Sequence, residues 1–161
     1  MKKVVALVLS VVMMLSVVAF AAETNSVVNE PAVLSVEPAD AEVGLDAKSE
    51  LAQSIVEAIS EVGMNEAFGS VLDNPEEYNL LSLSEFKVAN ADEGLVIRIA
   101  VPGVKADDEV VVLLGIVAND NVNWDNLEVI SVEDGVVTVS VTAEQASAVN
   151  SNSAVLAVLV K

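Results

Sequence analysis

The sequence predicts a mainly β protein with some α-helix: an antiparallel Ig-like β-sandwich preceded by one amphipathic helix. Short Val-rich segments follow one another from Leu83 onward and are separated by turn-forming pairs, Pro102-Gly103 and Asp134-Gly135. Between residues 45 and 62 the apolar residues instead recur with the spacing of one helix face. Because strands and helices do not alternate in the β-rich part, an antiparallel sandwich is favoured over a parallel sheet.

The helix predicted for residues 45–62 places one stripe of apolar side chains against the sheet. That stripe consists of Leu51, Ile55, Ile59 and Val62. We expect Asp46 to cap the start of this helix and Gly63 to end it. Asn74-Pro75 predicts a second, shorter helical start, because Asn is a good cap and Pro fits the first helical position.

The strand pattern covers the segments 84–88, 95–101, 109–117, 127–132, 136–142 and 154–160. The segment 109–117 is almost wholly apolar, which predicts a central strand that is buried on both faces. Asp134-Gly135 lies between two β-branched runs and predicts a tight hairpin.

Two further local signals complete the predicted elements. Thr142 and Gln145 have the spacing of a capping box, which predicts a helical turn over residues 144–149. Pro31 and Pro38 bracket a short apolar segment, and because Pro is tolerated at strand ends we expect an edge strand at 32–36.

The first residues have the pattern of a secretory signal peptide. Lys2 and Lys3 precede an apolar run, and Ala19-Phe20-Ala21 has the small-residue spacing of a cleavage site. An uncleaved membrane anchor is the alternative, since the run is only just long enough to cross a bilayer. We expect four regions: a signal peptide (1–21), an acidic, partly disordered lead-in (22–44), a helical segment (45–82) and the sandwich (83–161).

Charge and composition narrow the function classes. The chain has 7 basic and 25 acidic residues, and removal of Lys2 and Lys3 leaves a net charge of about −20. Such a surface repels phosphate groups, so we expect no nucleic-acid partner and favour a protein or cell-surface partner of cationic character. We also expect no stable membrane insertion after cleavage. The chain contains no cysteine or histidine, so we predict no cofactor and no enzyme that uses a thiol or an imidazole.

The segment 119–126 contains the residues considered for metal binding. Asn121, Asn123 and Asp125 carry oxygen ligands at alternate positions, which superficially resembles a calcium loop. The positions that an EF-hand reserves for Gly and Glu hold Asn126 and Val132 here, so the pattern is incomplete. The alternative is a polar turn between two strands.

Trp124 is the single tryptophan and the candidate ligand-binding residue. On a polar loop it would offer a stacking surface to a sugar ring. The alternative, which we favour, is a lid over one end of the sandwich, with the indole N–H bonded to a turn carbonyl.

Adjacent carboxylates are plentiful, but they do not make a catalytic pattern. They occur at Glu76-Glu77, Asp92-Glu93, Asp107-Asp108-Glu109 and Glu133-Asp134. Glycoside hydrolysis needs two carboxyl groups that face each other across a cleft, whereas neighbours on a turn point apart. Arg98, alone in an apolar strand, is expected to point outward and to pair with a carboxylate.

One stretch resembles a known module. Val101-Pro102-Gly103-Val104-Lys105, the acidic residues after it, Trp124 and Gly135-Val136-Val137-Thr138-Val139 resemble the C-terminal module of many uncharacterised exported proteins of anaerobic bacteria. The resemblance covers residues 95–161. It implies a small β-sandwich at a cell surface or in a secreted protein, and it carries no catalytic residues.

The sequence therefore predicts an exported bacterial protein that is secreted or held in the cell envelope. Its expected role is a non-catalytic binding or structural accessory domain, whose apolar strand edges can pair with a partner strand. A Ca²⁺- or carbohydrate-binding module is the alternative, and a carboxylate-dependent hydrolase is the second alternative.

Overall fold

The computed structural model describes residues 30–161. These residues form two antiparallel sheets that face each other, so the predicted antiparallel β-sandwich is confirmed. The predicted signal peptide, 1–21, and the first part of the lead-in, 22–29, lie outside the described residues. No helix between residues 30 and 161 is long and apolar enough to cross a membrane.

The elements follow one another in a mixed order. The strands are β1 (Ala32–Glu37), β2 (Glu42–Asp46), β3 (Asn79–Ala89), β4 (Leu95–Ala100), β5 (Val110–Ala118), β6 (Asn121–Asn126), β7 (Glu128–Glu133), β8 (Val136–Val141) and β9 (Ser153–Val160). The helices are α1 (Glu50–Val62), α2 (Met64–Phe68) and α3 (Ala143–Ser151), with a 3₁₀ turn at Pro75–Glu77.

The two sheets have four and five strands. The four-stranded sheet has the order β1-β4-β8-β7, and the five-stranded sheet has the order β2-β3-β9-β5-β6. The core between them is formed by inward-facing side chains of both sheets, such as Ile97, Val139, Val112 and Leu156, together with Ala146 of α3. This core accounts for the alternation of buried and exposed residues along β4 and β8.

A second core lies on the outer face of the five-stranded sheet, where α1 and α2 cover it. Ile55 and Ile59 of α1 and Phe68 of α2 pack there against Leu113 and Leu159 of the sheet. Strands β5 and β9 are consequently buried on both faces, which the nearly continuous apolar sequence of residues 109–117 predicts for β5.

The amphipathic helix is shorter than predicted and lies elsewhere in the fold. It begins at Glu50, because Ser49 is the cap and its Oγ accepts a hydrogen bond from Ala52 N at 3.0 Å. The prediction that Asp46 caps it is wrong, since Asp46 ends β2. Gly63 ends the helix as predicted, with φ at 85°. The helix connects β2 to β3, so it does not precede the sandwich.

The buried stripe of α1 also differs from the prediction at its last position. Ala52, Ile55 and Ile59 are buried, and Val62 is exposed. The buried stripe therefore ends at Ile59.

The expected region boundaries need correction. The described part of the lead-in, 30–44, holds the predicted edge strand, observed as β1, and most of β2, so it belongs to the sandwich. The reason is that Val43 and Leu45 alternate with exposed residues and pack against the inter-sheet core. β3 begins at Asn79, so the sandwich also includes residues assigned to the helical segment.

Most local predictions in the C-terminal half are confirmed. Glu133 pairs with Val136 across Asp134-Gly135, as the hairpin prediction requires. The capping box is present, with the Thr142 Oγ1 and Gln145 side chains each accepting a hydrogen bond from the other residue's backbone N–H. The helix that it opens, α3, is longer than the predicted turn.

Candidate functional site

The segment considered for calcium binding is a strand and not a loop. The turn that precedes it contains only Asn119 and Asp120, whose φ angles are 52° and 62°. Two residues with positive φ between antiparallel strands make the turn type that matches strand twist, and Asn and Asp tolerate this conformation. The polar-turn interpretation is therefore correct for these two residues and wrong for 121–126, which form β6.

The three candidate metal ligands do not converge. Asn121, Asn123 and Asp125 lie on one face of β6, where alternate residues are about 6.7 Å apart along the strand. Asp125 Oδ2 instead accepts a hydrogen bond from Gln145 Nε2 at 2.9 Å. Among the described residues no group of three acidic side chains is placed to hold a metal ion.

Trp124 lies on the opposite face of β6 and packs against the helical layer. Its ring centroid is 5.0 Å from that of Phe68, and the two rings are tilted by 58°. The rings form a tilted pair, and their centroid distance is within the preferred range of aromatic pairs. Trp124 is half-buried, so only part of its indole is open to a sugar.

The position of the indole depends on Gly115, which pairs with Trp124 across β5 and β6. A Cβ atom at Gly115 would lie 2.7 Å from Trp124 Cζ3 and 2.8 Å from Val122 Cγ1. The glycine therefore leaves the space that the indole fills. The predicted hydrogen bond from the indole N–H to a turn carbonyl is wrong: Nε1 is buried and has no acceptor within residues 30–161.

The carboxylates are spread over the surface. Within residues 30–161 every Asp and Glu is exposed except Glu85 and Asp108, which are half-buried. Two of them accept hydrogen bonds from the backbone of the loop between β4 and β5. Asp108 Oδ2 accepts from Lys105 N at 2.8 Å, and Asp134 Oδ1 accepts from Ala106 N at 2.9 Å. These contacts hold the ends of the strands in place and do not form a catalytic pair.

A polar contact joins the starts of β3 and β5 at one end of the five-stranded sheet. The Tyr78 hydroxyl donates to Glu109 Oε1 at 2.7 Å, and this hydrogen bond raises the pKa of Tyr78. Lys161 forms an ion pair with Glu77 beside it, and the hydrogen bond to that carboxylate raises the pKa of Lys161. Residues so far apart in sequence gave no local signal that would have predicted this contact.

Arg98 has the surroundings that were predicted for it. Its side chain is exposed on the outer face of the four-stranded sheet, and Nη2 lies 2.9 Å from Glu133 Oε2. An exposed pair of this kind contributes about 0–1 kcal/mol to stability. The Glu133 carboxylate neutralises the Arg98 guanidinium, so Arg98 does not offer a free positive charge to an anion.

A shallow groove of about 530 Å³ lies between β3 and the end of α3. Its titratable side chains are Glu85 and Lys87, which pair with each other at 3.1 Å. A groove whose only charges neutralise each other offers no acid–base pair to a substrate.

Comparison with models of protein families, with characterised proteins and with solved structures finds no match for this chain. The resemblance of residues 95–161 to a module of exported proteins therefore stays a prediction.

Proposed function

We propose that the chain is an exported, non-catalytic binding or structural domain of the bacterial cell surface or extracellular space. The observation that carries this proposal is the placement of its carboxylates. The chain has 25 acidic residues, and all of them except Glu23 lie in residues 30–161. Within that range none of the acidic side chains is buried. Exposed carboxylates attract cationic partners, whereas a general acid requires a shielded carboxyl group.

The proposed type of domain is Ig-like, and the strand order supports it. In Ig domains one sheet has the order A-B-E-D, and β1-β4-β8-β7 corresponds to it. The run β6-β5-β9 corresponds to C′-C-F of the other sheet. The place of strand G beside F is taken by β3, which comes earlier in the sequence, so the proposed type is a variant of the Ig arrangement.

Export and binding are tested together on the full chain produced in a bacterial host. We expect a mature N-terminus at Ala22 and recovery of the protein from the envelope or the medium. We also expect the purified protein to co-sediment with envelopes at low salt and to be released at high salt, because charged surfaces attract over a short screening length. An intact leader on cytosolic protein, or no salt-dependent binding to any envelope fraction, would contradict the proposal.

The two alternative functions give different outcomes. A calorimetric titration with Ca²⁺ at millimolar concentration should give no binding heat, because the candidate ligands do not converge. A screen of glycan and peptide substrates should give no turnover above buffer. Heat or turnover that is lost in the variant Asp125→Asn would replace the proposed function by the corresponding alternative.

A further inference from the structure

The outer faces of the two sheets differ in how they are covered. The helices α1 and α2 cover the five-stranded sheet, whereas every outward-facing residue of the four-stranded sheet is exposed or half-buried. We call this outer surface of β1, β4, β8 and β7 the open face. Because the four strands are paired side by side, the residues of the open face form rows that run across all of them.

The middle row of the open face ends in a large aliphatic side chain at each edge. Arg98 of β4 pairs with Thr138 of β8, and the neighbouring edge strands have their register shifts at Leu34 and Ile130. Each shift inserts one extra residue between two valines that pack against the inter-sheet core, so the extra side chain points outward. Leu34 is 51% exposed and Ile130 is 53% exposed. The two most exposed large apolar side chains of residues 30–161 therefore lie in one row.

The next row carries a carboxylate at each edge. Glu37 of β1 is opposite Val96 of β4, and Glu128 of β7 is opposite Ser140 of β8. Val96 and Ser140 are themselves paired, which completes the row. Both glutamates are exposed, and neither forms an ion pair with a cation of residues 30–161. Two free negative charges thus stand at the sides of the open face.

The middle of the open face is uncharged overall. Its cation, Arg98, forms an ion pair with Glu133 of β7, and because β8 lies between β4 and β7 the Arg98 side chain extends across β8. The other residues of the two middle strands that face outward are small, such as Val96, Thr138 and Ser140. The larger side chains and the free carboxylates are therefore at the edges.

The width of the open face matches one helix. β1 and β7 are separated by three interstrand spacings, about 14 Å. A helix with its side chains is about 10–12 Å wide, so a helix along β4 and β8 would contact Leu34 on one side and Ile130 on the other. On the opposite side of the molecule, α1 packs on the five-stranded sheet through a stripe that includes Ile55 and Ile59. The open face has the pattern for an amphipathic helix of the same kind.

Charge decides which partner supplies that helix. The open face has three carboxylates, Glu37, Glu128 and Glu133, against the single cation Arg98, and the chain as a whole has a net charge of −18. Two open faces of this kind would repel each other. The α1 helix of a second copy contains three glutamates and no basic residue, so it would be repelled as well. A helix with basic residues beside its apolar stripe is attracted.

We propose that the open face binds an amphipathic helix of a cationic partner. The helix would lie along β4 and β8, with its apolar stripe between Leu34 and Ile130 and with basic residues on its two flanks beside Glu37 and Glu128. This inference rests on the proposed function and assigns a place and a chemistry to the binding.

The probe for the test is a blocked peptide of about 14 residues, which as a helix is as long as the six-residue strands β4 and β8. Leucine and alanine form one helical stripe of the peptide, and lysine flanks it. We expect saturable binding in a calorimetric titration at low salt, a gain of helical circular dichroism, and shifted amide NMR signals of Arg98 and Thr138. A peptide of the same composition without an apolar stripe should bind about tenfold more weakly.

The aliphatic side chains are tested with a matched control. The double variant Leu34→Ala/Ile130→Ala shortens both side chains at the edges of the open face, and Val62→Ala shortens an exposed side chain at the end of α1. We expect about tenfold weaker peptide binding in the double variant and nearly unchanged binding in Val62→Ala.

The carboxylates are tested in the same way. Glu37→Gln/Glu128→Gln removes two charges from the open face, and Glu61→Gln/Glu66→Gln removes two from the helices α1 and α2. We expect about threefold weaker binding at low salt in the first double variant and a much smaller change in the second.

Four results would overturn the proposal. They are absence of binding, equally strong binding of the peptide without a stripe, equal losses in a variant and its matched control, and NMR shifts confined to the helical layer. A dimer of the free protein in which Leu34 and Ile130 are buried would also overturn it and would assign the open face to a second copy.

Envelope binding distinguishes failure of this inference from failure of the proposed function. If the wild-type protein binds envelopes and Leu34→Ala/Ile130→Ala binds them equally well, the open face is not the site and the proposed function stands. If the wild-type protein does not bind envelopes, the proposed function fails as well.

Discussion

The two sheets differ in how many of their faces are covered, and the difference is visible in their strands. In the five-stranded sheet, neighbouring residues such as Val155 and Leu156 of β9 are both buried, because α1 and α2 cover one face and the other sheet covers the opposite face. In the four-stranded sheet, Val139 of β8 is buried and Thr138 beside it is half-exposed. We therefore expect substitutions on either face of the five-stranded sheet to lower stability, whereas in the four-stranded sheet only substitutions on the inner face should do so.

The largest expected loss of stability comes from placing a charged side chain on the outer face of the five-stranded sheet, which the helices cover. Ala157 of β9 is fully buried beneath the helical layer, so Ala157→Asp would bury an unpaired carboxylate. We expect a loss of about 4 kcal/mol or more, or no folding, measured by urea denaturation followed by circular dichroism.

Thr138→Asp is the matched control on the outer face of the four-stranded sheet, where it pairs across from Arg98. We expect a change of about 1 kcal/mol or less, since the carboxylate stays in water. Equal destabilisation by the two changes would mean that the helices do not cover one sheet selectively.

The next effect tests how closely the helical side of the sheet is packed. Gly115→Ala places a methyl group 2.7 Å from the Trp124 ring, so we expect a loss of about 1–3 kcal/mol from overpacking and a shifted Trp124 emission. Gly44→Ala is the control, because its nearest neighbour would be Lys87 Cβ at 3.8 Å, an ordinary contact. Similar free energies of unfolding for both variants would contradict the packing of the indole against Gly115.

A smaller effect concerns α3, which connects the two sheets. Thr142→Ala removes one half of the capping box, and we expect a loss of about 1 kcal/mol in the free energy of unfolding. Thr142→Ser keeps the hydroxyl and should recover most of this loss. If the serine variant is as unstable as the alanine variant, the hydrogen bond to Gln145 N is not the source of the effect.

The smallest effect depends on pH. Hydrogen bonding to Glu109 raises the Tyr78 pKa above its ordinary value of 10.0, so the folded state holds the proton more tightly than the unfolded state. The stabilisation is complete below pH 10 and is lost as the pH rises through the raised pKa. Tyr78→Phe should lose about 1 kcal/mol or less at neutral pH and should show a weaker dependence above pH 10. A steeper alkaline loss in the variant would contradict this assignment.

The elements that the sequence predicted well are those whose pattern is set by burial. The apolar run of β5 and the alternation of β8 reflect the number of covered faces, and the Asp134-Gly135 hairpin is specified by two residues. β2 and β6 were missed because each has only two apolar residues, too few for a visible strand pattern. In β6 the alternate residues Asn121, Asn123 and Asp125 face solvent at the sheet edge, so the strand reads as a polar loop.

Asn119-Asp120 is the signal that could have revealed β6, because a pair of residues that tolerate positive φ stood between two β-forming segments. The contacts of the candidate site had no comparable signal. Phe68 meets Trp124, and Gln145 meets Asp125, only because the fold brings separate elements together. Sequence spacing carries no information on such pairs.

The most direct test of this account is amide hydrogen exchange, residue by residue, in the free protein. If residues 121–126 form a strand paired with β5, the amides of Asn121 and Asn123 are protected, while those of Asn119 and Asp120 in the exposed turn exchange much faster. Equally fast exchange at all four amides would mean that residues 121–126 are not a strand.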